Sequence, residues 1–92
     1  MVSERIRIDF TLDEGAILRI LGLVERRGFR VVTIAMHQTG TYHPDGGETA
    51  AMTLDVEPRD AGRDLAVLVP QLHRLYEVRS VGLFSTPMAS AA

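Results

Sequence analysis

The chain opens on strict alternation. Ile6, Ile8, Phe10 and Leu12 fall on one side and Arg5, Arg7, Asp9 and Thr11 on the other, the period-2 pattern of a strand with one buried face. Asp13 and Glu14 follow, and the period changes: Ile17, Ile20, Leu21 and Val24 recur at helical spacing behind acidic residues suited to a helix N-terminus. This predicts a helix over roughly 14–27, closed by Arg26, Arg27 and Gly28, the last able to adopt the positive φ of a helix stop. Phe29 to Thr39 holds the β-branched run Val31, Val32, Thr33 and Ile34 and reads as a second strand. Residues 40–47, rich in Gly, Pro and Asp, read as a long, mobile hairpin tip reversing at Asp45-Gly46.

A third strand is expected over about 48–57, with Ala50, Met52, Leu54 and Val56 on one side and Ala51, Thr53, Asp55 and Glu57 on the other, ending at Pro58. Asp60 or Asp64 then caps a second helix through Leu65, Leu68, Val69, Leu72 and Leu75. Pro70 lies inside it. A proline there removes one backbone hydrogen bond and crowds the carbonyl four residues back, so a kinked or shortened helix is expected. The last strand spans about 77–85 through Val78, Val81, Leu83 and Phe84, and residues 86–92 carry too little bulk to stay ordered. The order β-α-β-β-α-β makes this an α+β, ferredoxin-like sandwich: a four-stranded antiparallel sheet with two helices on one face, one domain over 1–85. That plan hosts many unrelated activities and decides none of them.

Composition narrows the chemistry. Ninety-two residues, 46% of them hydrophobic, can build one core, but a chain this short buries a modest share of its surface, which makes association with a partner an expectation from size alone. Cysteine is absent, excluding disulfides, thiolate catalysis and thiolate-held metals. All ten basic residues are arginine, which removes Schiff-base lysines and the P-loop lysine. A formal charge of −2 argues against nucleic acid, whose binding calls for a clustered positive excess. The longest uncharged apolar run, Leu65 to Val69, is far short of a membrane span, and the strand-like start Met1-Val2-Ser3-Glu4-Arg5 is unlike a signal sequence; a cytoplasmic location is expected.

The residues speak against several activities that this plan can carry. RNA recognition needs aromatic residues on the open sheet face, where the pattern instead places Arg5, Arg7, Asp9, Thr11, Ala51, Thr53 and Asp55. A phosphate-cradling hydrolase needs an anion-friendly loop before the first helix, and Asp13 and Glu14 occupy that position. His37, His43 and His73 show no helical ligand spacing and read as exposed or hydrogen-bonded histidines. No nucleophile elbow supports a Ser–His–Asp arrangement, and Arg26-Arg27 reads as a solvated helix end. Neither catalytic residues nor a metal site are expected in this chain.

Four segments in order remain: Leu12-Asp13-Glu14-Gly15-Ala16-Ile17-Leu18, then Gly22-Leu23-Val24-Glu25-Arg26-Arg27-Gly28-Phe29, then Met52-Thr53-Leu54, then Gln71-Leu72-His73-Arg74-Leu75-Tyr76-Glu77-Val78. Together, over about residues 4–84, they resemble the ACT domain of the small, regulatory subunit of acetolactate (acetohydroxyacid) synthase. The resemblance implies a non-catalytic regulatory subunit of branched-chain amino acid biosynthesis that forms a homodimer and binds a catalytic large subunit. Thiamine diphosphate, FAD and magnesium are then expected on that large subunit and no cofactor in this chain. A small effector, such as a branched-chain amino acid, is expected between the first loop of one copy and the second strand of a neighbour. By position the pocket uses Asp13, Glu14, Gly15, Ala16 and Ile17 from one chain with Arg30, Val31 and Val32 from the other.

The residues give reasons beside the likeness. Gly15, lacking a side chain, lets a ligand or a partner backbone approach the free N–H groups that open the helix, which favour an anion; a plain tight turn accounts for it equally well. The second strand lies at a sheet edge in this plan, and an edge bearing Val31, Val32, Thr33 and Ile34 is prone to pair with another chain. Two departures from the family pattern stand out. Leu12 occupies the place of an asparagine common in valine-sensitive members, and Arg30 replaces another after the aromatic of the second strand. Losing hydrogen-bonding partners in a buried site costs about 1–3 kcal/mol each. With a single ACT unit, as in the short subunits of valine-resistant isozymes, weak or absent valine feedback is expected. A different reading keeps the module and changes the client: a stand-alone ACT-type amino-acid-binding module regulating another enzyme.

Overall fold

In the computed structural model, residues 3–42 and 47–84 are described. Six elements follow in the order β1 (Glu4–Thr11), α1 (Ala16–Arg26), β2 (Phe29–Tyr42), β3 (Glu48–Pro58), α2 (Leu65–His73) and β4 (Val78–Phe84). The strands form one antiparallel sheet in the order β2-β3-β1-β4, the expected ferredoxin-like topology. Alternation along β1 becomes burial. Ile6, Ile8 and Phe10 are fully enclosed and pair in register with Leu54, Met52 and Ala50 of β3, so both central strands turn their apolar sides to the helices. Ile20 and Val24 of α1 and Leu68 and Leu72 of α2 close that core.

The opposite face of the sheet is polar and paired within itself. Arg5 grips the Asp55 carboxylate through Nε and Nη2 (2.8 and 3.2 Å), and Thr33 donates its hydroxyl to the same group at 2.6 Å. Arg7 bonds Asp9, which also accepts from Ser80, and Arg30 bonds Glu57. These arginines are neutralised by neighbours on the same face, and the alternation that put them there offers no aromatic platform.

The element ends depart from the sequence reading in instructive ways. Helix α1 begins at Ala16 rather than near 14, because Gly15 adopts φ +81° and ψ −3°, a left-handed conformation that ends any helix entering it. Asp13 and Glu14 therefore stand in the loop before the helix. The stop behaves as expected: Gly28 sits at φ +93°, and a Cβ there would lie 2.2 Å from Arg63 Nε. Strand β2 runs through Gly40, Thr41 and Tyr42, residues read from composition as a turn, and Tyr42 pairs with Glu48; the reversal at 45–46 and the tail at 86–92 lie outside the described residues. Helix α2 starts late, at Leu65, with the Asp64 carboxylate accepting from the Ala66 amide at 2.9 Å. It is short, nine residues with Pro70 inside, in line with a proline that limits its length. Strand β4 starts at Val78, which leaves Glu77 in the preceding turn.

Candidate functional site

The loop between β1 and α1 is held from both sides. Leu12 donates its amide to the Glu48 carbonyl of β3 (2.7 Å), and Thr11 donates to the Glu77 carbonyl ahead of β4 (2.8 Å). Inside the loop, Asp13 N–H bonds the Thr11 carbonyl (2.8 Å) and Ala16 N–H bonds the Asp13 carbonyl (3.0 Å). Gly15 is the N-cap of α1 and no side chain caps the first turn. Its amides carry the partial positive charge of a helix start, and the Arg19 guanidinium lies beside Gly15, where a Cβ would come within 2.9 Å of Nη1. Of the residues assigned here from sequence, Glu14 is exposed, Asp13 and Ile17 are half-buried and Ala16 is enclosed in the core.

Arg30, Val31 and Val32 are elsewhere. They begin β2, at the far end of α1 from the loop, and an eleven-residue helix separates the two groups by about 16 Å at 1.5 Å per residue. Arg30 is exposed and lies beside a hollow of about 240 Å³ with Glu57, Pro58 and Arg59. Val31 opposes Val56, and Val32 is the extra residue of a bulge before Thr33 resumes pairing with Asp55. One chain thus does not bring the two halves of the expected pocket together.

Along the rest of β2 the free edge is apolar. Val32, Ile34 and Met36 are 45%, 52% and 40% exposed. Ile34 and Met36 oppose Leu54 and Met52 of the buried row and so lie on the helix-bearing side of the sheet, beyond the cover that α1 provides. Thr33 to Gln38 pairs regularly with Asp55 to Ala50 and is bracketed by two register breaks.

Sequence reasoning missed the most unusual side chain near the loop. Glu77 is 1% exposed. Its Oε2 accepts from Arg19 Nε at 2.5 Å and is also met by Nη2 of the same guanidinium, while Oε1 is buried with no partner among the described residues. That hydrogen bond, outweighing desolvation, holds the Arg19 guanidinium above its ordinary pKa. Arg19 also donates to the Glu14 carbonyl at 3.0 Å. The signal was present in α1: position 19 is three residues after Ala16 and four before Leu23, both buried, so a charge there borders the apolar stripe and calls for a partner.

Other places offer less. A cavity of about 140 Å³ is lined by Arg27, Phe29, Gly62, Arg63, Asp64, Val67 and Leu68, but its polar groups are engaged: Arg27 with Gln71, Arg63 with Asp60, Asp64 as the cap of α2. Among the described residues no three His, Cys, Asp or Glu side chains are grouped to hold a metal, and no helix is long and apolar enough to cross a membrane. His37 and His73 are exposed.

The family model for the ACT domain matches residues 12–81, from just past the end of β1 into β4. The chain belongs to the ACT domain family. ACT domains are regulatory modules, generally non-catalytic, that typically bind amino acids and dimerise. No curated protein matches this ACT domain by sequence. Solved structures that share its fold include the ACT domain from the GTP pyrophosphokinase of Chlorobium tepidum, with TM-score 0.66, 20% identity, and coverage of 89% of this chain and 96% of that one. The acetolactate synthase small subunit from Thermotoga maritima aligns with TM-score 0.71 and 18% identity over 95% of this chain and 50% of that one. The C-terminal domain of the MgtC protein from Mycobacterium tuberculosis aligns with TM-score 0.65 and 14% identity over 98% and 93%. At these identities the likeness is one of fold.

Proposed function

We propose that this ACT domain is the non-catalytic small subunit of an acetolactate synthase, activating or stabilising a catalytic large subunit that carries thiamine diphosphate, FAD and magnesium. The four sequence segments favour that client, and the Thermotoga maritima small subunit shares the fold over nearly the whole of this chain. The observation that carries the mechanism is the separation of the two half-sites along α1. Antiparallel pairing of two β2 edges sets the start of one strand against the far end of the other, so the Arg30–Val32 segment of one copy approaches the Asp13–Ile17 loop of its partner. The same pairing, through Val31, Val32, Thr33 and Ile34 and onward to Gln38, covers the apolar edge.

In the resulting pocket the uncapped amides of α1 receive a carboxylate and the β2 valines offer an apolar wall to a branched side chain. Neither Leu12 nor Arg30 supplies the amide side chain that would fix such a ligand, so valine feedback is weak or absent. Reconstitution tests both parts. Mixing with a catalytic acetolactate synthase subunit is expected to raise its activity, with little inhibition by valine. Sedimentation is expected to show a dimer that Ile34→Asp converts to a monomer. No activation, or a monomeric wild-type chain, overturns the reading.

A second reading is a stand-alone ACT module regulating a different enzyme. It is favoured by the variety of proteins that share the fold, a GTP pyrophosphokinase ACT domain and the C-terminal domain of MgtC beside the acetolactate synthase subunit. Under it, amino-acid binding and dimerisation persist while the catalytic subunit of acetolactate synthase is unaffected.

A further inference from the structure

We propose that Arg19 and Glu77 are positioning residues for the β1–α1 loop, a clasp that ties the loop at both ends to the short segment ahead of β4 and sets the conformation from which α1 starts.

The connections are specific. Residue 77 holds the near end of the loop with its backbone, through the amide of Thr11 at 2.8 Å, and Arg79 adds a bond from Nε to the Thr11 hydroxyl at 2.9 Å. Residue 77 holds the far end with its side chain, through Arg19. The same guanidinium reaches back to the Glu14 carbonyl, and its Nη1 would lie 2.9 Å from a Cβ built on Gly15. The left-handed residue and the arginine therefore fit one another, since a side chain at 15 would displace the guanidinium as well as strain the backbone. Stability alone does not account for the pair. Enclosing the Glu77 carboxylate carries a desolvation cost that one partly exposed arginine only partly offsets, and apolar residues of similar volume commonly match or exceed such a pair; among the described residues Oε1 also has no donor, which lowers stability rather than raising it. What an apolar pair cannot do is hold the Glu14 carbonyl and the Glu77 carboxylate with one rigid, planar group.

The test uses the full chain in three forms: wild type, Arg19→Lys, and the apolar double variant Arg19→Met with Glu77→Met. Urea midpoints report the core, amide exchange at Asp13 and Ala16 reports the loop, and calorimetry with valine, leucine and isoleucine reports the pocket. A lysine neutralises Glu77 but does not span to Glu14. Arg19→Lys is therefore expected to keep its urea midpoint close to wild type while the two loop amides exchange about tenfold faster, the loss of one charge-assisted bond. The double variant is expected to match or exceed the wild-type midpoint with the same loosened loop and about tenfold weaker effector binding. Wild-type exchange at Asp13 and Ala16 in either variant overturns the proposal, and should the double variant not fold, Arg19→Lys decides alone. Only the affinity measurement rests on the effector-loop reading: a wild-type chain that takes up none of the three amino acids defeats that reading, and the exchange data still judge the clasp.

Discussion

Asp55 and Glu77 are both carboxylates gripped by an arginine, and they show how differently the same pair can act. Asp55 lies on the open face with its side chain 17% exposed, takes two bonds from Arg5 and one from Thr33, and has water within reach. Its carboxyl is held below its ordinary pKa chiefly by the hydrogen bond from Arg5, then by that from Thr33, against a desolvation that works the other way. Glu77 has no exposed side-chain surface and, among the described residues, one oxygen with no donor. A satisfied carboxylate at a surface tolerates changes around it. An enclosed, half-satisfied one depends on its single partner.

Removing each arginine or acid in turn sharpens that contrast. Arg19→Ala takes the single donor from an enclosed carboxylate and is expected to give the largest drop in urea midpoint of the series, whereas Glu77→Leu, which removes that charge and frees the partly exposed Arg19 to water, is expected to lower the midpoint much less. Urea denaturation compares them, and equal losses would erase the distinction. Asp55→Asn is expected to cost about 1 kcal/mol at neutral pH, since Arg5 is half exposed and screened. The sign of its pH dependence follows from the lowered folded pKa: the stabilisation is complete above the unfolded value of about 3.9 and fades as pH falls through the folded one. The gap between wild type and Asp55→Asn should therefore close on acidification below about pH 4 and stay constant above it. The smallest effect is expected from Thr33→Val, about 0.5–1 kcal/mol for one exposed hydrogen bond, in the same urea series.

Much of the fold is legible in the sequence. β1 lies at the centre of the sheet with a core on one side only, so its alternation was clean. Gly28 marked the end of α1 because a left-handed residue is needed there. The start of α1 was misread by two residues, since acidic residues before an apolar stripe look like a first turn unless the glycine between them is known to be left-handed. Gly40-Thr41-Tyr42 read as a turn because composition registers local preference, while pairing with β3 decided the matter. The proposed two-chain pocket rests on topology, with β2 at an edge and α1 spanning the distance between half-sites. Glu77 escaped notice because an acid beside a strand usually points to water, and only its neighbour across space, 58 residues away in sequence, shows that this one does not.

The two register breaks around Thr33–Gln38 carry a consequence for inheritance as well as assembly. Only six consecutive residues of the rim keep uniform pleating, so an insertion or deletion of one residue among them would turn Ile34 and Met36 to the polar side and bring Ala35 and His37 to the apolar one. Lengthening between Gln38 and Tyr42, where the ladder already skips, should be absorbed, and natural length variation in this strand is expected to gather there.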